Sequence, residues 1–120
     1  MATPTNICPR YEAAVELLGK RWTGLVLRVL MDGPRRFSEL AASVDGMSER
    51  MLSERLKELE AEGVVDRRVL PEPPVRVEYR LTPKGQALSG VTDAIGRWAE
   101  KWVDLPHVHA APPAKRRRSG

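Results

Sequence analysis

The one cysteine of the chain, Cys8, stands directly before Pro9. Proline is favoured at the first helical position, where its missing N–H would have no partner anyway, so Cys8 falls at the N-cap. A thiol there sits in the positive end of the helix dipole with Arg10 close by, and both lower its pKa toward a reactive thiolate. Without a second cysteine, oxidation can give only a Cys8–Cys8 link between copies, a mixed disulfide or an adduct. An inert cysteine is the alternative. Other candidates for chemistry are few. His107 and His109 have too few partners for a metal site, and the chain shows no Ser/His/Asp set, no phosphate-binding glycine loop and no paired carboxylates. The residues imply no metal and no cofactor, and they do not point to an enzyme; a thiol enzyme working through Cys8 is the competing enzymatic reading.

A second group of residues suits recognition. Ser48 caps a helix that runs to Glu62, with Gly63 as its stop. At about 100° per residue, Leu52, Leu56 and Leu59 share one side and belong in a core. Arg50, Ser53, Glu54 and Lys57 point the other way, with Ser48 and Met51 on the flank near the N-terminus. Arg50 has the donor fork for guanine, Glu54 accepts from cytosine N4, and Met51 suits a thymine methyl. Helix N-terminal N–H groups favour a phosphate. A solvated amphipathic helix is the bland alternative, so the surrounding elements must decide.

Those elements run in a definite order. From Tyr11 apolar residues recur at helical spacing, and Trp22, Leu25, Val26, Val29 and Leu30 continue the stripe until Gly33-Pro34 ends it, as one bent helix or two short ones. Arg35-Arg36-Phe37 is extended. Ser38 is a good N-cap for a short helix, Glu39–Val44. Asp45-Gly46-Met47 is a tight turn before the 48–62 helix, and helix, glycine turn and helix make a helix-turn-helix. Val64–Leu70 and Val75–Leu81 read as strands joined through Pro71-Glu72-Pro73-Pro74, a stiff hairpin unsuited to ordinary edge pairing. The expected fold is mainly α with a small β-hairpin, a winged helix-turn-helix. Thr82-Pro83 then restarts a helix to about Leu105, with Leu88, Val91, Ile95, Trp98 and Trp102 as its stripe. Gly85, Gly90 and Gly96 within it imply close packing or a kink. Arg76, beside the prolines at the wing tip, suits a narrow minor groove; Arg35 and Arg36, which precede the helix-turn-helix, suit phosphates, and Ser38 is a further candidate DNA contact.

A compact winged helix cannot cover both flanking helices. Tyr11, Leu18 and Trp22 at one end, and Ile95, Trp98 and Trp102 at the other, are therefore expected to pack against a second copy. Folding back on their own monomer is the alternative. A two-fold dimer presents two reading helices to half-sites about one DNA turn apart.

Composition bounds the rest. At 120 residues with 42% apolar content, the chain is one domain with its own core. Of 20 Lys and Arg against 16 Asp and Glu, four bases lie in Lys115–Arg118, so residues 1–105 are charge-balanced. The expected organisation is an N-terminal arm (1–9), the winged helix-turn-helix with dimerisation helices (10–105) and a disordered basic tail (106–120). No apolar run spans a membrane and the start lacks a signal-peptide stretch, so a soluble, cytoplasmic protein is expected.

The chain resembles the HxlR-type regulators, winged-helix relatives of the MarR proteins. CPRYEAAVELLGKRW, DGPRRFSEL, SERMLSERLKELEAEGVVDR, PEPPVRVEYRLTPKG and the later Trp98 carry the resemblance over residues 8–98. It implies a dimer that pairs through its N- and C-terminal helices and binds near-palindromic double-stranded DNA to regulate transcription. Cys8 matches the family's N-terminal cysteine, which in some members senses oxidants, quinones or other electrophiles; a small-molecule effector is thus an open partner. The chain departs from the family at PEPPV, where an apolar residue often separates the prolines, and at Glu54, where a neutral residue is common. A winged-helix module that binds protein rather than DNA is the non-enzymatic competitor.

Overall fold

Leu52, Leu56 and Leu59 are all fully buried, and the rest of the fold is arranged around the helix that carries them. A computed structural model describes residues 6–105. Its elements run α1 (Pro9–Leu18), α2 (Thr23–Leu30), β1 (Arg35–Arg36), α3 (Phe37–Ser43), α4 (Glu49–Ala61), β2 (Val65–Leu70), β3 (Arg76–Leu81), α5 (Pro83–Gln86) and α6 (Ser89–Trp102). The core joins Val26, Leu27 and Leu30 of α2 to Leu40 of α3, the three α4 leucines, and Val64, Val65 and Leu81 at the base of the sheet. The α2 stripe is rotated from the expected one: Leu27 is buried, whereas Leu25 faces outward.

The 10–31 stripe resolves into two helices. Gly19 stops α1, its N–H bonding the Val15 carbonyl at 2.7 Å. Trp22 then turns the chain with φ 80°, a left-handed backbone that costs a bulky residue about 1–3 kcal/mol. Packing holds it there. The indole leans on the core, its edge lies over Gly46, and the Arg21 guanidinium sits 4.5 Å from its centroid.

Two expected helix boundaries are corrected. Ser38 is not the N-cap of α3. That position falls to Arg36, because the Glu39 carboxylate reaches back to accept the Arg36 N–H at 2.8 Å and starts the helix at Phe37. The 83–105 helix is also not continuous. Thr82 caps the short α5 by accepting from Gly85 N–H at 3.1 Å, the chain turns at Ala87-Leu88, and α6 ends at Trp102 with Val103 extended. By contrast α4 has both expected ends. Ser48 Oγ accepts the Met51 N–H at 3.1 Å. Gly63, at φ 76°, lets Val64 N–H return to the Leu59 carbonyl at 2.9 Å.

The hairpin gains a strand that two residues could not announce. β1 pairs antiparallel with β3, giving the order β1-β3-β2, with Arg36 opposite Glu78 and Arg68 opposite Glu78 on the other side. The central strand is therefore β3. The result is a winged helix-turn-helix, as expected. α1 and α6 contain no buried residue, so both lie on the outside of the core. No described helix is long and apolar enough to cross a membrane. Most of the expected arm and all of the 106–120 tail, with His107, His109 and Lys115–Arg118, lie outside the described residues.

Candidate nucleic-acid interface

Burial of the leucine side of α4 leaves its opposite side to solvent. Arg50 is 87% exposed, and its Nε lies 3.6 Å from Glu54 Oε2, with Glu54 49% exposed. Such an i, i+4 surface pair contributes about 0.3–0.5 kcal/mol, so a base edge can displace it readily. Lys57 is exposed, whereas Ser53 and Met51 are half-buried and Met51 packs against the core. The recognition candidates thus divide into a free trio, Arg50, Glu54 and Lys57, and a flank, Met51 and Ser53. Ser48 is engaged at its cap, and Arg36 and Ser38 are exposed at the start of α3.

The wing differs from expectation at one point. Arg76 is not at the tip but opposite Leu70 in the first rung of the β2–β3 ladder. It is half-buried, and its Nε is buried without a hydrogen-bond partner. The reason is that residues 71–75 form the whole projection, and β3 begins only after them. Four other arginines, three on the wing strands and one on α4, escaped the sequence reading. Arg67 and Arg68 are exposed on β2, next to a central strand whose own outward residues are half-buried; Arg80 of that strand is held by Asp66 at 3.5 Å. Arg55 is turned inward, and its only sequence signal is Glu58 one turn later.

The apolar candidates separate into two classes. Tyr11, Ile95, Trp98 and Trp102 are exposed, the last three at 59%, 61% and 64%. Leu18 and Trp22 are half-buried against their own core, which leaves only their outer parts open to a second copy. Val15, Leu25 and Val91 join the exposed set. A Cβ added at Gly90 or Gly96 meets nothing within 4 Å, so neither glycine is explained by packing inside the monomer. Between α1 and the start of α5 a groove of about 690 Å³ opens, floored by Leu17, Leu18, Val64 and Leu88.

Cys8 is fully exposed at the N-cap of α1. The backbone N–H groups of Tyr11 first and Arg10 second face the sulfur and hold the thiol below its ordinary pKa, although neither closes a full hydrogen bond to it. The helix start acts here, rather than the Arg10 charge. A lowered pKa places the thiolate at lower pH than in an unstructured thiol. Alkylation of the reduced protein by iodoacetamide near neutral pH is therefore expected to outrun that of the same protein in urea, and the pH midpoint should rise on unfolding. Coincident curves in the two solvents would show that the helix start does not activate Cys8. No group of three or more metal-ligating side chains occurs among the described residues.

Comparison with known proteins places this geometry. The model of the HxlR-like helix-turn-helix family matches residues 17–107. The uncharacterized HTH-type transcriptional regulator YvaP of Bacillus subtilis (strain 168) is 53% identical over 100 residues, covering 83% of this chain and 93% of that protein. The HTH-type transcriptional regulator YodB of the same organism is 51% identical over 99 residues, covering 82% and 88%. The solved reduced form of YodB superposes with a TM-score of 0.74 over 82% of this chain and 96% of that one, at 51% identity. The oxidized form of the redox regulator HypR gives 0.76 over 82% and 100%, at 35% identity.

Proposed function

The chain belongs to the HxlR-like helix-turn-helix family and is a DNA-binding transcription regulator, and from that premise we propose how it works: as a homodimer on a near-palindromic duplex, released by oxidants or electrophiles through Cys8. One observation carries the reading. α4 is anchored by three buried leucines on one side and offers Arg50, Glu54 and Lys57 on the other, in the second helix of a helix-turn-helix. That is the geometry by which a recognition helix enters the major groove. Arg50 addresses guanine, Glu54 cytosine N4 and Met51 the thymine methyl. Ser48, Ser53 and Lys57 border the base contacts. Arg36, Ser38 and the wing arginines, Arg76 among them, take phosphate and minor-groove positions. The exposed faces of α1 and α6 supply the pairing surface, through Tyr11, Ile95, Trp98 and Trp102. Leu18 and Trp22 support it from the core side. A regulator of this kind acts in the cytoplasm.

The redox part of the proposal rests on Cys8 and on the relatives. YodB has been solved in a quinone-bound form and HypR in an oxidized form. In this chain the exposed, activated thiol opens a helix that contributes to the proposed interface. Covalent change at Cys8 would thus act at the junction of two copies.

Selection of bound sequences from random duplexes, with and without diamide, tests the whole. A two-fold site enriched only under reducing conditions is the expected result. Binding that neutralises about five phosphates should weaken with salt at a log–log slope near −4.5; a flat response on every duplex favours the protein-binding competitor. Arg50→Ala should weaken the selected site by about 1–3 kcal/mol and relax one base position per half-site. Unchanged base preference would remove Arg50 from the recognition set. Cys8→Ser should bind as wild type does and ignore diamide; continued release of that variant by the reagent would place the sensor elsewhere.

A further inference from the structure

Three basic side chains lie on α4, and Arg55 alone among them turns inward, at 13% exposed. Its Nε donates to the backbone carbonyl of Arg21 at 2.9 Å. Its Nη1 donates to both carboxylate oxygens of Glu58, at 3.2 and 3.1 Å. Glu58 Oε2 in turn lies 3.4 Å from Lys20 Nζ. One turn of α4 is therefore tied through two residues to the elbow between α1 and α2. The elbow continues into Trp22, whose left-handed backbone persists only where its surroundings hold it.

The chemistry of this clamp differs from that of the core beside it. Contacts among leucines are non-directional; they bind α4 to the domain but tolerate small rotations and slips along its axis. A guanidinium fork fixes direction as well as distance. A half-buried ion cluster also roughly breaks even in stability against apolar residues of the same volume, so its distinctive contribution is geometric. We infer that Arg55 is a positioning residue for DNA recognition: it sets the placement of α4 relative to the α1–α2 elbow and so, in the dimer, the separation of the two reading helices. The inference rests on the dimeric-regulator reading above and adds to it a determinant of half-site spacing that itself touches no base. α1 belongs to the pairing surface and α4 to the DNA surface. The Arg55–Arg21 contact joins α4 to the hinge of α1 across 34 residues of sequence.

The test uses the full chain with Arg55→Lys, which keeps the charge but loses the fork, and Arg55→Gln, which loses both. Each is carried through selection from random duplexes under reducing conditions, with melting and sedimentation measured in parallel. Wild type should enrich one dominant half-site spacing. Both variants should keep the base preferences inside each half-site but enrich a broadened set of spacings, one base pair or more to either side. Each should bind the wild-type spacing about ten-fold more weakly while remaining dimeric. A merely stabilising residue would lower the melting temperature and leave the spacing distribution as sharp as before, and that result overturns the inference. So does loss of folding in both variants, which would make Arg55 a stability residue. Failure of wild type to enrich any sequence counts against the regulator reading, a result distinguishable from sharp spacing in the variants.

Discussion

On the proposed pairing, Trp98→Ala combined with Trp102→Ala is expected to leave the chain monomeric at micromolar concentration, raising the self-dissociation constant about a million-fold. Both rings stand out from α6, an element with no buried residue, so neither is needed to complete the core of its own copy. A buried tryptophan at the centre of an interface typically contributes about 2 kcal/mol or more. A two-fold interface contains each ring twice. Four rings at that value amount to about 8 kcal/mol, close to six decades in affinity. Sedimentation velocity reads the outcome directly. DNA affinity should fall with it, since one subunit grips one half-site. A double variant that sediments as an intact dimer would move the interface away from α6.

Gly85→Ala should destabilise the fold by about 3 kcal/mol, opposite in sign to what helix propensity alone predicts. In an open helix the change gains about 1 kcal/mol. At position 85, however, the new Cβ would fall on the Val64 carbonyl oxygen and within 3.0 Å of Leu81 Cδ2. A backbone oxygen cannot swing aside as a side chain can. Relief requires α5 to lift from the end of the sheet, which disturbs the Thr82 hydroxyl bonded to the Gly63 carbonyl and the Lys84 ammonium bonded to the Glu62 carbonyl. Those bonds close the C-terminal end of α4, so the strain reaches the recognition helix. Thermal melting at fixed protein concentration should drop by about 12 °C or more. Gly90→Ala is the control, because the space around Gly90 is open and the sign should reverse in dilute monomer. A melting temperature for the Gly85→Ala variant at or above wild type would show that α5 adjusts without cost.

What could be read from residue order alone follows a physical pattern. α4 was legible because three independent local signals agree: the Ser48 cap, the leucine period and the Gly63 stop. The wing was legible from β-branched alternation interrupted by prolines. β1 was not, since two residues carry no period and their pairing with Tyr79 and Glu78 depends on contacts more than forty positions away. The break between α5 and α6 was hidden because Leu88 stays in phase with the stripe on either side, while the turn there answers to Gly85 packing on Val64. Ser38 looked like a cap, but Glu39 decides the start of α3 through a backbone N–H that no pattern of residue types displays. On the candidate surface, outward placement of Arg50, Glu54 and Lys57 followed from helix geometry. The inward turn of Arg55 did not, because 100° steps put it on the border of the leucine side, where only the Arg21 carbonyl settles its direction. Periodicity also cannot say whether an apolar face packs on its own core or stays exposed, and Leu18 and Trp22 lean on the core whereas Trp98 does not.

The absence of any buried residue in α6 has a consequence for the life of the chain in the cell. A helix of 14 residues that buries no side chain fully in its own copy has little tertiary support and is marginal in water. On the proposed pairing, a newly made copy that has met no partner frays at this end and opens its backbone to proteases, while a paired copy does not. Turnover then discriminates between single and assembled subunits. The amount of regulator poised to act is thereby held by degradation of the unassembled excess as well as by synthesis.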